Sequence, residues 1–124
     1  MIEDFKVELE PMKNYFNEFK GYRINVNGLW LANLIQTCES CPEQYSMISL
    51  FDMADVGYFR LRHGHFRVDA PTCGDTTVYE KMFEEDLKGQ FYTEEERIEN
   101  LTEAIKEVIK YYRKENEENE EDFI

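Results

Sequence analysis

The clearest hydrophobic pattern lies between residues 56 and 69, where apolar and polar residues alternate on both sides of His63-Gly64. Alternation of period two marks half-buried strands, and a dipeptide that tolerates positive φ suits a two-residue hairpin turn. Such a turn sets the register. Arg62 faces His65, Leu61 faces Phe66, Arg60 faces Arg67, Phe59 faces Val68 and Tyr58 faces Asp69. Directly opposed side chains share a face of the sheet. One face is therefore Phe59, Leu61, Phe66 and Val68, and the other carries Tyr58, Arg60, Arg62, His65 and Arg67.

The remaining pattern predicts an α+β fold: an antiparallel sheet with a central meander over about 45–69, covered by helices, the longest of them C-terminal. Strands are expected near 4–10, 22–26, 45–51, 56–62 and 65–69. Pro11 is expected to end the first strand, and Met12, Tyr15, Phe16 and Phe19 then recur at helical spacing up to Gly21. Residues 22–38 are ambiguous. Asn27-Gly28 signals a hairpin, but Trp30, Leu31, Leu34, Ile35 and Cys38 also fall on one helical stripe, and strand 22–26 followed by helix 29–38 is the preferred reading. A four-residue loop at 52–55 would set Ile48 opposite Phe59 and Leu50 opposite Gly57. Val78, Met82, Phe83 and Leu87 suggest a helix from Thr76 or Thr77 to Gly89. The last helix is the best marked: Thr93 and Glu96 form a capping box, and Ile98, Leu101, Ile105, Val108 and Tyr112 make its apolar stripe.

Composition narrows the class. The chain has 124 residues, 42% of them apolar, which suits one domain over about 1–115 with an acidic tail at 116–124. No apolar run is long enough for a membrane span. The charged N-terminus and three cysteines favour reduced thiols in the cytoplasm over a secreted disulfide framework. A net charge of −13 argues against direct nucleic-acid binding and for a protein partner with a basic surface.

Three groups of side chains carry candidate chemistry. The basic ribbon of Tyr58, Arg60, Arg62, His65 and Arg67 places like charges opposite each other, so it needs anions. Those anions are expected from within, from the last helix or from Glu84, Glu85 and Asp86; the competing reading is capture of a phosphate-bearing ligand by arginine forks. Cys38, Cys41 and Cys73 with His65, or His63 in its place, are the residues from which a zinc site of three thiolates and one imidazole would be built, although ordinary thiols are the default. Glu95, Glu99, Glu103 and Glu107 recur every four residues, and such a row resembles the charge of a nucleic-acid backbone; a solvated helix face is the commoner meaning. Sequence motifs for nucleophilic, phosphate-cradling or metalloprotease catalysis are missing, so no enzyme is expected.

The favoured function is a small, non-enzymatic protein-binding factor that inhibits a basic, nucleic-acid-handling partner and uses no cofactor. In size, acidity and α+β character the chain is similar to many inhibitor proteins of phages and mobile elements, of the anti-CRISPR or anti-restriction kind. That similarity is one of composition. The alternatives are an anion- or nucleotide-binding protein and a small zinc-stabilised domain.

Overall fold

A computed structural model describes residues 5–122, with side chains described through residue 116. Seven strands form one open antiparallel meander in chain order. They are β1 (Val7–Lys13), β2 (Phe19–Val26), β3 (Leu29–Cys38), β4 (Glu43–Ser49), β5 (Asp55–Arg62), β6 (His65–Ala70) and β7 (Thr76–Met82). A single helix, α1 (Glu94–Asp122), follows. The α+β class and the long C-terminal helix are as the sequence predicts, but one helix does the covering. It touches both edge strands, β1 and β7, so the sheet curls around it.

The core lies between helix and sheet. Tyr22, Ile24, Leu34, Tyr45, Phe59, Leu61, Phe66 and Val68 meet Leu101, Ala104, Ile105 and Val108 of α1, all buried. Phe59, Leu61, Phe66 and Val68 are the predicted apolar face of the central hairpin. The helix also starts as predicted, with Thr93 Oγ1 accepting the Glu96 N–H at 3.1 Å. The glutamate side chain reaches back to the Tyr92 N–H at 2.8 Å. It runs on to Asp122 through most of the acidic tail, while Phe123 and Ile124 lie outside the described residues.

Three expected helices are strands. Residues 12–19 close β1, turn and open β2, with Tyr15 96% and Phe16 77% exposed. Asn14 makes this turn by accepting the Phe16 and Glu18 N–H groups on its side-chain oxygen, at 2.9 and 3.0 Å. Pro11 does not end the first strand. It sits within β1, at the sheet edge, where a missing N–H is tolerated.

Residues 29–38 form β3, because Asn27-Gly28 makes the hairpin turn, with φ of 51° and 85°. Residues 76–82 form β7, in keeping with the run Thr76, Thr77, Val78, Tyr79. The meander register also differs from expectation. Tyr45 faces Phe59 and Met47 faces Gly57, an odd offset that reverses the strand. Glu43, Tyr45 and Met47 therefore point into the core, and Ile48 does not oppose Phe59.

Among the described residues, no helix is long and apolar enough to cross a membrane.

Candidate functional site

The central hairpin has the predicted register at every position from Tyr58–Asp69 to Arg62–His65. Its turn has φ of 52° at His63 and 74° at Gly64. A side chain at Gly64 would meet the Glu85 carbonyl oxygen at 2.5 Å, so glycine answers both the backbone conformation and the close approach. That approach comes from residues 83–93, a strap that crosses the turn on its way to α1. The Phe83 N–H donates to Gly64 O, and the Gly64 N–H donates to Lys88 O, both at 2.8 Å. Lys88 is itself buried and bonds Glu96 at 3.0 Å. The turn is thus clamped from outside the sheet.

On the face away from α1, Arg60, Arg62, His63, His65 and Arg67 line a hollow of about 390 Å³. Four of these five are the residues that the alternation places together; His63 is the addition. Its position in the turn beside Arg62 was the available signal. Tyr58 lies further along β5, where its hydroxyl donates to Gln44 at 2.9 Å and burial raises its pKa.

Internal neutralisation is partial. His65 Nε2 lies 2.9 Å from Glu80, and Arg67 Nε lies 3.4 Å from the buried carboxylate of Asp69. Arg60 and Arg62 have no ion pair or hydrogen bond among the described residues, and Arg60 Nε is buried without an acceptor. The acidic helix packs on the opposite face. The strap brings Glu84, Glu85 and Asp86 beside the turn, but none of them bonds an arginine of the hollow; Glu85 accepts the Tyr92 hydroxyl at 2.7 Å instead. The expected sources of internal cover thus bond no arginine of the hollow; Glu80 answers His65 and Asp69 answers Arg67 instead. The lining supplies guanidinium donors and imidazoles but no carboxylate, hydroxyl or thiol. Such a set binds and orients an anion.

A second arginine cluster escaped the sequence reading. Arg97, in the second turn of α1, bonds Glu43 through Nε at 2.8 Å and a terminal nitrogen at 3.2 Å. Glu43 also accepts the Phe91 N–H at 2.9 Å and the Tyr45 hydroxyl at 2.6 Å. Arg97 bonds Glu94 at 3.3 Å, and Glu94 accepts the Tyr22 hydroxyl at 2.5 Å. Burial, with the carboxylates beside them, raises both phenols well above their ordinary range; the Glu43 hydrogen bond raises the guanidinium. An acid two residues before the strand predicted at 45–51 was the signal, legible only with the correct β4 register. A groove of about 740 Å³, lined in part by Lys13, Lys20, Gln36 and Gln90, opens beside Arg97, each of whose three nitrogens already donates within the protein.

The remaining candidates are dispersed. Cys38 and Cys41 lie at the end of the sheet that holds the hairpin turn, and Cys73 lies in the β6–β7 loop at the opposite end. His65 heads β6 and is committed to Glu80. Among the described residues, no three His, Cys, Asp or Glu side chains are grouped to hold a metal ion. On the helix, Glu95, Glu99 and Glu103 are exposed, but Glu103 accepts the Tyr79 hydroxyl at 2.8 Å and Glu107 pairs with Lys110 at 3.2 Å. Comparison with protein-family models, with curated proteins and with solved structures finds no match for this chain.

Proposed function

We propose that this protein is a non-enzymatic binding factor that recognises an anionic group in the hollow on the outer face of the β5–β6 hairpin. One observation carries the reading. In a chain of net charge −13, Arg60 and Arg62 have no carboxylate of their own among the described residues. Like charges held opposite one another cost a few tenths of a kcal/mol in a sheet. An external anion removes that cost and satisfies guanidinium forks that suit planar or tetrahedral oxyanions.

The test compares sulfate with chloride at equal ionic strength, reading side-chain NMR signals of arginine and histidine. Saturable shifts at Arg60, Arg62 and His65 with sulfate alone support the proposal. Uniform shifts that follow ionic strength, without saturation, refute it.

A second reading rests on the helix. Glu95 and Glu99 are exposed and without partners among the described residues, which suits a basic, nucleic-acid-handling protein that the factor would inhibit. The doubly substituted chain, Glu95→Gln with Glu99→Gln, should then lose binding to that partner, and the loss should shrink as salt rises. The two readings are compatible, because the faces are opposed.

A further inference from the structure

Resting on the anion-recognition reading, we infer that the group held in the hollow is a phosphate monoester, carried by a small nucleotide or by a phosphorylated side chain. Charge matching favours it. Of the three arginines, Arg67 forms an ion pair with Asp69, whose oxygens accept the Gly74 N–H at 2.9 Å and the Thr77 hydroxyl at 2.8 Å. Arg60 and Arg62 are left over. Two guanidiniums are thus without a counter-ion among the described residues, and the Glu80 carboxylate near them is held on His65. A phosphate monoester brings about −1.5 to −2 at neutral pH with three acceptor oxygens. A carboxylate, or one phosphodiester of a strand, brings a single negative charge and leaves an arginine unanswered.

The surroundings favour a compact ligand over a strand. Glu80 sits on His65, and Glu84, Glu85 and Asp86 lie on the strap against the turn. At physiological salt, charges act over about 8 Å. A nucleic-acid backbone leaving the hollow would run past several of these carboxylates, whereas an isolated phosphoryl group faces fewer of them. Strand binding also draws its affinity from many phosphate contacts, and this face offers one cluster. A volume of about 390 Å³ lies at the lower end of small-ligand sites, with room for a phosphoryl group and a little of what bears it.

Geometry supplies the grip. Arg60 and Arg67 stand directly opposite each other on β5 and β6, and Arg62 and His65 form the next pair toward the turn. Side chains of adjacent pairs on one face are separated by two residues, about 7 Å along the strand. Two forks can thus converge on one tetrahedral anion from neighbouring positions.

The experiment uses the whole chain, with binding read by calorimetry and by thermal shift. The probes are adenosine monophosphate and adenosine, a phosphoserine peptide with neutral flanks and its unphosphorylated form, a glutamate-containing peptide, and a single-stranded oligonucleotide without terminal phosphates. Saturable binding of either monoester, none of its unphosphorylated partner, and at least ~10-fold weakening by Arg62→Ala establish the site. The tighter of the two monoesters identifies the source. Arg60→Met must weaken binding as well, and circular dichroism of both variants must match the parent. Binding of the oligonucleotide or the glutamate peptide that depends on Arg62, without monoester binding, overturns this inference and leaves anion recognition standing. Monoester binding indifferent to both substitutions places the ligand elsewhere and overturns it too. If no probe binds, both the inference and the reading beneath it fall.

Discussion

Arg97 and the pair Arg60–Arg62 serve the same sheet from opposite faces, and their surroundings differ in one respect. Arg97 meets two carboxylates and the Phe91 carbonyl, and its principal partner, Glu43, has both oxygens engaged by protein donors. Arg60 and Arg62 meet none among the described residues. The first arrangement binds the start of α1 and the strap to β4. It is a clasp, complete without a ligand. The second contributes repulsion to the folded chain and offers its donors outward. Overall charge does not separate the two, since both occur in the same acidic protein; closure of the hydrogen-bond network does.

The sharpest break in that comparison is Glu43→Gln. It keeps the shape of the side chain but leaves the guanidinium of Arg97 partly buried without its main counter-charge. Removing one partner of a buried pair costs about 3–5 kcal/mol. The melting temperature should fall on the order of 10 °C, while phosphate-monoester affinity at the far face holds. The double variant Glu43→Gln with Arg97→Met should recover much of the loss, because no stranded charge is left. An unchanged melting temperature for Glu43→Gln would show that the clasp does not hold the fold.

Alkaline titration sharpens the same contrast. Tyr22 and Tyr45 adjoin the clasp, and burial together with neighbouring carboxylates raises their pKa values above 10 in the folded chain. Tyr112, whose hydroxyl donates to the Val56 carbonyl at 2.7 Å, is pushed up to about 12, mainly by burial. A raised folded value means that the stabilising contribution is complete below the unfolded pKa near 10 and is lost as pH climbs through the folded values. Stability should therefore hold below pH 10 and drop steeply above it. Ultraviolet titration should show these three ionising only on unfolding. If all tyrosines ionised together near pH 10 in the folded state, the burial argument would fail.

Glu95 and Glu99 define the next smaller effect. Both are exposed and unpartnered on α1 among the described residues, and only Glu95 lies in the first turn, where the helix dipole favours acid. Glu95→Gln should cost up to about 0.5 kcal/mol and Glu99→Gln about nothing. Equal losses of 1 kcal/mol or more in both, by denaturant melts, would make this row part of the fold.

How legible this was depends on which signal competed with which. The β5–β6 hairpin read correctly because its turn and its alternation agree, and agreement fixes register and face together. The basic hollow followed from it, short of His63. Residues 29–38 misled because β3 has apolar residues on both faces: Ala32 and Leu34 meet the core, while Trp30 and Ile35 lie on the other side. A two-faced strand resembles a helical stripe, and Asn27-Gly28 was the better guide. Tyr15 and Phe16 suggested a buried stripe, yet they sit on a turn made by Asn14, a local hydrogen-bonding choice that hydrophobic spacing does not report. The clasp stayed hidden because Glu43 takes its side from the β4 register, and the assumed loop length put β4 on the wrong side.

The smallest effect bears most directly on the open arginines. Arg60→Met keeps most of the length and the apolar stem of the side chain and removes only the charge. If Arg60 is surplus in the free protein, the change relieves its repulsion with Arg67 directly across the ladder. It also removes a buried Nε–H that has no acceptor. Both effects favour the variant, the first by a few tenths of a kcal/mol, and the stem continues to pack. Stability should hold or rise by roughly 0.5 kcal/mol. Added salt should narrow the difference, because it screens the repulsion in the parent alone. Paired chemical-denaturation curves at low and high salt would measure this. A loss of more than 1 kcal/mol at low salt would mean that Arg60 answers a carboxylate in solution, in the manner of Arg97. The two arginine clusters would then differ only in exposure, and the outer face would have no charge to offer a ligand.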